Sequence, residues 1–391
     1  MRSLAFMVAL AIALPHRAHA ATCDTLPNPV YMQVGDTQLN LMKRLGRALR
    51  DNTSKPITLV FLTSGSCTNI AAIYTPVAIK AATSLQYVPS VAEDPTWTPS
   101  SATRTCTLGA DVVPDIANSV LFNSACTSSP PPATVNLTQG PAQGYVMAVP
   151  VASSQTAITF EEAYFVFGFG AAGMIAPWID EAQMYIRTIT KGTLLAWAAN
   201  ISVPAAKWKG VMLDGSPAVV TGVATGPTSA IGILGAEVYD ANRATMKALA
   251  YRAKGQYAAY YPDSSASSFD KKNIRDGHYT VWSPTIWMDT VDGTGAPIKP
   301  DARYVIDLIA GKTVTPAQNF GMIDIIAAVG LVPDCAMGVN RSFEGGPLSL
   351  YRPAQSCTCK YESLVDTSSC ASCATTSCTT GVCRNGLCED H

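Results

Sequence analysis

Residues 57–69 read ITLVFLTSGSCTN, and this stretch decides the fold of the chain. The run from Ile57 to Leu62 is almost wholly apolar, as in a strand that is buried on both faces. Ser, Thr and Gly residues follow, and the apolar series that opens at Ile70 predicts a helix. A buried strand, a short polar turn and a helix form the repeating unit of α/β proteins with a largely parallel sheet.

The same alternation continues on both sides of this stretch. Leu39, Met42, Leu45 and Leu49 are apolar at helical spacing and predict a helix that Asp36 or Thr37 begins. The segment 163–169 fits either a strand or a buried helix. A length of 391 residues suggests two lobes. Other segments predict strands at 145–151 and 278–288, and helices near 180–202, at the end of 230–253, at 301–310 and at 320–330.

The first 20 residues have the pattern of a secretory signal. Met1 and Arg2 give a positive start, and the apolar run from Leu4 to Leu14 is too short to span a bilayer. Residues 18–20 read Ala-His-Ala, which fits cleavage after Ala20. The sequence therefore predicts an exported chain, in the periplasm or at the cell surface. A net charge of −1 gives no reason to expect a nucleic-acid partner.

The 12 cysteines predict an oxidised protein, since disulfides persist in exported chains. The region after Leu331 has few large apolar residues, so it needs covalent staples. We expect a disulfide-rich module over residues 333–391, with its pairing left open. Zinc bound by thiolates is the alternative. The module's cysteines are at positions 335, 357, 359, 370, 373, 378, 383 and 388.

The main enzyme signatures are missing or incomplete. No G-x-S-x-G elbow is present, and His278 is the one candidate base inside the exported body. The glycines of residues 168–173 match a dinucleotide fingerprint as a string, but Pro177 follows where a helix should continue. The sequence therefore predicts a protein that is not an enzyme and needs no cofactor.

Three Ser/Thr/Gly segments stand before predicted helices, at 35–37, 63–68 and 191–193, and Arg187 lies four residues before Lys191. Helix N-termini present free N–H groups and partial positive charge. Converging helix ends with an Arg form a site for a small anion.

The order of these segments resembles that of the periplasmic phosphate-binding proteins of ABC transporters, over about residues 31–331. The resemblance implies the two-lobe type II periplasmic-binding fold, with lobe one at 21–150 plus 272–332 and lobe two at 151–271. It rests on Val34-Gly35-Asp36-Thr37-Gln38, Thr63-Ser64-Gly65-Ser66-Cys67-Thr68, Pro114-Asp115-Ile116-Ala117-Asn118-Ser119, Arg187-x-x-x-Lys191-Gly192-Thr193 and Asp276-Gly277-His278-Tyr279.

The resemblance also implies a ligand site in the cleft between the lobes, with phosphate as the favoured ligand and ABC transporter membrane subunits as partners. Asp115 would accept the proton of monohydrogen phosphate, and Arg187 would bind its oxygens. Lys191 stands where the family has Ser, which favours a larger or more anionic ligand or else blocks the pocket. The implied donors are Thr37, Ser64, Ser66, Gly192 and Thr193.

Two other interpretations stay open at this point. The Cys-rich module and Lys191 fit a surface structural or adhesive protein that keeps the fold without the ligand site. A secreted hydrolase is the other interpretation, and the absence of a nucleophile elbow in the sequence argues against it. Cys106 and Cys126 flank the Asp115 segment, and we expect them to pair with each other.

Overall fold

The structure is a computed structural model that describes residues 21–366, 368–373 and 378–390. The predicted signal segment and His391 lie outside these residues. The strands are β1 Ala21–Thr22, β2 Pro29–Gly35, β3 Thr58–Ser64, β4 Ser84–Tyr87, β5 Arg104–Thr107, β6 Ile116–Ser119, β7 Val135–Pro150, β8 Ala157–Thr159, β9 Met184–Arg187, β10 Val211–Leu213, β11 Ile231–Gly235, β12 Met246–Ala248, β13 Ala250–Arg252, β14 Trp282–Thr290, β15 Val339–Asn340, β16 Ser349–Leu350, β17 Val382–Arg384 and β18 Leu387–Glu389. The α-helices are α1 Leu39–Arg50, α2 Ser66–Tyr74, α3 Phe160–Phe169, α4 Gly192–Asn200, α5 Ser216–Thr225, α6 Ala236–Asp240, α7 Lys272–Arg275, α8 Pro300–Ile309, α9 Met322–Ala328 and α10 Thr358–Val365.

A 12-stranded sheet runs through the whole body, in the order β1-β5-β4-β3-β2-β6-β14-β7-β11-β9-β10, with β12 also paired to β7. Strand β7 joins the two halves of this sheet. It pairs with β14 from Val135 to Gly144 and with β11 and β12 from Tyr145 to Pro150. The mixed α/β class that the sequence predicts is confirmed.

The sheet is mixed, and the expectation that it is largely parallel is wrong. Strand β14 runs antiparallel to both β6 and β7, and β4 runs antiparallel to β3 and β5. The chain leaves one half of the sheet through β7 and returns through β14. Neighbouring strands that carry the chain out and back must run in opposite directions.

Each half of the sheet has its own hydrophobic core. In one half, α1, α8 and α9 pack on the sheet, and α2 covers its other face. In the other half, α3 and α4 pack on one face and α5 and α6 on the other. We propose that these halves are lobe one and lobe two, and that the chain crosses between them at Gly144–Tyr145 and near Trp282. The resemblance implies these crossings near 150 and 270, and the exact positions of the crossings stay a proposal.

Two local predictions are wrong. The helix expected after Asp180 is strand β9, and the helical stretch expected through Met246, Leu249 and Ala250 is formed by β12 and β13. Both segments are short and apolar, and partner strands decide such cases rather than intrinsic preference. The ambiguous segment 163–169 is part of helix α3, which begins with a capping box between Thr159 and Glu162.

All 12 cysteines form disulfides. The expected Cys106–Cys126 pair is wrong. Parallel pairing of β1 with β5 brings Cys23 to Cys106, and α2 carries Cys67 to Cys126. In the C-terminal module every sulfur is in a disulfide, so none is free to bind zinc as a thiolate. The module's pairs are Cys335–Cys357, Cys359–Cys370, Cys373–Cys383 and Cys378–Cys388.

The C-terminal module packs against the body of the protein. Cys357 and Tyr361 join the core of lobe two, and Glu362 forms an ion pair with Arg275 at 2.8 Å. Lys360 reaches Asp324 of α9 at 3.0 Å. Within the described ranges, no helix has both the length and the apolar character needed to cross a bilayer.

Candidate ligand site between the lobes

A cavity of about 550 Å³ lies between the lobes, and we call it the cleft cavity. Lobe one contributes the turn that leads into α1, with Asp36 and Thr37, and lobe two contributes the starts of α4 and α5. These elements meet because helices α1 and α5 both begin at the boundary between the two halves of the sheet. Polar lining residues from lobe two are Lys191, Asp214, Ser216, Thr221 and Asn242, of which the first three matter for the site.

Arg187 lies at the end of β9 with its side chain 0% exposed. Pairing of β9 with β10 sets Arg187 opposite Leu213, whose carbonyl oxygen accepts from Nε at 3.2 Å. Nη1 donates to Ser216 Oγ at 2.7 Å, and Nη2 donates to the Asp214 carbonyl oxygen. These bonds fix the guanidinium directly behind Asp214 and Ser216, which form part of the wall of the cleft cavity.

The Asp36 carboxylate reaches across from lobe one to this wall. Its Oδ2 accepts from Arg187 Nη2 at 2.8 Å, from Ser216 N at 3.1 Å and from Ser216 Oγ at 3.0 Å. Ser216 is the first residue of α5, with Pro217 following, so its N–H has no partner inside the helix. A guanidinium, a hydroxyl and a helix N-terminus are the donors that bind oxyanions, and here they surround one carboxylate oxygen.

Lys191 adds a second cation to the cleft cavity. It immediately precedes α4, its side chain is 7% exposed, and Nζ lies 3.2 Å from Asp214 Oδ1. Asp214 itself is 82% exposed. Thr37 is buried at the lobe-one side and donates from Oγ1 to Gln143 Oε1 at 3.3 Å. The structure thus brings two of the predicted site residues, Thr37 and Lys191, into the lining of one cavity, and a third, Arg187, lies directly behind it, bonded to the lining residues Asp36 and Ser216.

Three other predicted residues lie where the lobes touch directly, at residues 65–67, 120–121 and 190–193, which we call the closed contact. Cys67 N donates to the Thr190 carbonyl oxygen at 3.3 Å, and Ser66 Oγ accepts from Val120 N at 3.1 Å. A Cβ atom on Gly192 would lie 2.5 Å from Val120 Cγ2 and 2.9 Å from Ser66 Oγ. Ser66, Gly192 and Thr193 are all buried in this contact.

Ser64 and Asp115 do not join either group. Ser64 Oγ accepts from Gln33 Nε2 at 3.1 Å and donates to the Asn69 side chain, both within lobe one. Asp115 precedes β6, whereas the closed contact follows it, so Asp115 lies at the far end of the strand. Its carboxylate accepts from Tyr31 N at 2.9 Å, and burial raises its pKa. The structure therefore does not place Asp115 at the cleft.

Sequence reasoning missed the residues that complete the anion-binding group. Asp36 appeared only as a candidate helix cap, and Ser216 was not singled out. Residues 215–217 read Gly-Ser-Pro, which is a recognisable helix start with Pro in the first turn. That pattern could have identified Ser216. No local pattern could show that Ser216 contacts Asp36, which lies 180 residues away in the sequence.

The chain matches no described protein family and no curated protein. It is similar in structure to a Clostridium perfringens protein described as a phosphate ABC transporter substrate-binding protein, solved with bound phosphate. The two share 13% sequence identity, the match covers 78% of this chain and 99% of that chain, and the TM-score is 0.52. An ABC-type phosphate transport receptor from Vibrio cholerae matches with 12% identity, 78% and 100% coverage and a TM-score of 0.48.

The fold is therefore that of the type II periplasmic-binding proteins, as the resemblance implies. To this fold the chain adds the disulfide-bonded module at its C-terminus. At this level of identity the likeness establishes the fold alone, so the chemistry of the site rests on the contacts described above.

Proposed function

We propose that the chain is an exported, non-enzymatic solute-binding protein that captures a small oxyanion in the cleft cavity for an ABC transporter. One observation carries the proposal: the buried Arg187 guanidinium and the N–H and hydroxyl of Ser216 converge on a single negative oxygen between the lobes. In the structure that oxygen belongs to Asp36, and we propose that an oxygen of the solute takes the same place.

Binding then follows as an exchange. Asp36 belongs to lobe one and its three donors belong to lobe two, so opening of the cleft separates them. An incoming oxyanion takes the place of the carboxylate at Arg187 and Ser216. Lys191, at the same cavity, adds a charge-assisted bond. The exchange conserves the buried hydrogen bonds of lobe two, whose loss would be costly.

After closure, Asp36 faces the bound anion and gives the site a basis for selection. A solute that keeps a proton, such as monohydrogen phosphate, donates it to the carboxylate. Sulfate has no such proton at neutral pH and meets a repulsive charge. We therefore assign the proton-acceptor role to Asp36 in place of Asp115. The cleft cavity, at about 550 Å³, also has room for an organic phosphate or phosphonate.

Thermal unfolding with a panel of phosphate, sulfate, molybdate and alkylphosphonates tests the proposal. A ligand present at 100 times its dissociation constant should raise the free energy of unfolding by about 2.7 kcal/mol. The Arg187→Met variant should show no such gain with any member. If no anion shifts the unfolding of the wild-type protein, the proposed function is wrong.

A surface structural or adhesive role is the second candidate, and the closed contact favours it. Val120 and Ser66 of lobe one both lie against Gly192 of lobe two, and Asp36 already pairs with Arg187. A protein that uses the fold only as a scaffold would keep both features permanently. Small-angle X-ray scattering distinguishes the two: a solute-binding protein changes its radius of gyration when an anion is added, and a rigid scaffold does not.

A further inference from the structure

Glu237, the second residue of α6, is a buried carboxyl group without a partner. Its side chain is 3% exposed, and neither carboxylate oxygen accepts a hydrogen bond from any residue the structure describes. Burial raises its pKa well above the usual carboxyl range, and Asp240 and Asp36 add to the rise. Its own backbone N–H, without good hydrogen-bond geometry, and the Lys271 ammonium group oppose the rise in pKa. Buried polar groups are nearly always satisfied in folded proteins, so this one needs an explanation.

The charged neighbours of Glu237 are already paired with one another. Lys271 Nζ lies 2.8 Å from Asp240 Oδ2 and 2.8 Å from Asp263 Oδ1. Arg243 Nη2 lies 2.5 Å from Asp240 Oδ1 and 2.7 Å from Asp263 Oδ2. Two cations thus balance two carboxylates, and within the described part of the chain no cation forms an ion pair with Glu237, although the charge of Lys271 lowers its pKa somewhat.

Glu237 lines a second cavity of about 510 Å³, the α6 cavity, together with Asp240 and the residues 327–330. Asn40 of lobe one and Ala241 of lobe two line both this cavity and the cleft cavity. The wall between the two cavities is therefore itself a boundary between the lobes, and opening of the cleft parts it. Arg44 also lines the α6 cavity, but among the described residues it forms no ion pair with Glu237.

We propose that the captured solute carries an amine as well as an oxyanion. Arg187, Ser216 and Lys191 bind the oxyanion in the cleft cavity, and Glu237 binds the amine in the α6 cavity. An ammonium group supplies donors to the two unpartnered oxygens, and its positive charge balances the negative charge that Glu237 acquires when it releases its proton to water on binding. The binding of the oxyanion in this inference rests on the proposed function. The inference narrows the solute to compounds that carry both an amine and an oxyanion, a class that excludes inorganic phosphate.

Isothermal titration with two matched series of phosphonates tests this inference. One series is aminomethyl-, 2-aminoethyl- and 3-aminopropylphosphonate, and the other is the alkylphosphonates of the same lengths. We expect at least one amino compound to bind at least about tenfold tighter than its alkyl partner. Glu237→Gln should abolish that gain and leave alkylphosphonate binding unchanged, because the amide is neutral and Arg187 is untouched.

Glu344→Gln serves as the matched control, since Glu344 is a half-buried acid that Ser283 binds outside both cavities. It should keep the amine gain. Alkylphosphonate binding without an amine gain at any length would overturn the inference and leave the proposed function standing. A gain that persists in Glu237→Gln would overturn the assignment of Glu237. If neither series binds, the inference is wrong, and the proposed function is then decided by the phosphate, sulfate and molybdate of the thermal-unfolding panel.

Discussion

The cleft cavity and the closed contact lie at the same boundary between the lobes, and both are built from Ser, Thr and Gly segments at the starts of helices. In the cleft cavity the start of α5 meets a carboxylate, so its free N–H group is satisfied by a charge. In the closed contact the start of α2 meets the backbone of Thr190, and the start of α4 meets the apolar side chain of Val120. The same kind of helix start thus serves as an anion site in one place and as a packing surface in the other. The group that lies opposite the helix start decides whether that start binds an anion or packs against the other lobe.

The largest effect should come from Arg187→Met, which removes the central donor of the cleft cavity. Four acceptors lose their partner, and Asp36 is left without its cation. Breaking a buried ion pair by removing one partner typically costs about 3–5 kcal/mol of stability. Urea unfolding measures the loss, and anion titration should show no binding.

Arg252→Gln is the control for Arg187→Met, because Arg252 pairs with Glu161 on the surface at 3.0 Å. Exposed pairs contribute at most about 1 kcal/mol, so this variant should unfold almost as the wild type does. Equal losses in the two variants would mean that the buried network at Arg187 has no special role.

Gly192→Ala tests the closed contact. The new Cβ would lie 2.5 Å from Val120 Cγ2, so the lobes cannot approach as closely at this point. Overpacking of this kind costs about 1–3 kcal/mol, and it should also enlarge the radius of gyration in small-angle scattering. Gly293→Ala is the matched control, since no atom lies within 4 Å of its added Cβ. A radius of gyration unchanged in Gly192→Ala would show that the lobes do not close there in solution.

Asp36→Asn should change selectivity as well as stability, because it also leaves the buried Arg187 without its carboxylate partner. The amide carries no charge, so sulfate no longer meets repulsion after closure and should bind about tenfold tighter, or about 1.4 kcal/mol. Phosphate should change less, because the amide oxygen still accepts its proton. The gap between the two anions in isothermal titration therefore narrows. A gap equal to that of the wild-type protein would contradict the role given to Asp36.

The smallest effect concerns pH. The pKa of Glu237 is raised in the folded protein, so the folded state holds this proton at pH values where the unfolded chain has released it. The free energy of unfolding should therefore fall as the pH rises above the usual carboxyl range, until the folded-state pKa is passed. Asp240, Asp36, Lys271 and Arg44 are the charged groups that face Glu237 or line its cavity.

Glu237→Gln should flatten this dependence and raise the free energy of unfolding at pH 8 by about 1 kcal/mol, because no buried acid remains to be ionised. Unfolding in urea at pH 5, 6, 7 and 8 measures the slope for both proteins. Identical slopes would show that Glu237 is not titrating as described. If Glu237→Gln gains stability and also loses amine binding, Glu237 behaves as a ligand-binding residue that is kept at a cost in stability.

The fold was largely predictable, and the reason lies in residues 57–69. A buried strand followed by a polar turn and a helix has few alternatives, and it appears as β3 and α2. The short segments that became β9 and β12 could not be predicted, because their conformation depends on pairing with strands far away in the sequence. Intrinsic preference alone predicts helices at these two segments, and the structure has strands there.

The candidate site was predictable only in part, and for the same reason. Arg187 and Lys191 could be found from their spacing to the start of α4. Asp36 could not, since its role depends on Ser216, which lies 180 residues away in the sequence. Asp115 matched a motif by its letters, but it lies at the opposite end of β6 from the closed contact. A motif thus predicts a helix start or a strand, and only the fold shows which end of the strand faces the cleft.

A crystal structure of the protein grown with millimolar phosphate tests the central claim most directly. The account predicts an anion bound to Arg187 and to the N–H and hydroxyl of Ser216, with the Asp36 carboxylate displaced from these donors. A structure in which Asp36 Oδ2 stays 2.8 Å from Arg187 Nη2, with no anion in the cleft cavity, would contradict it.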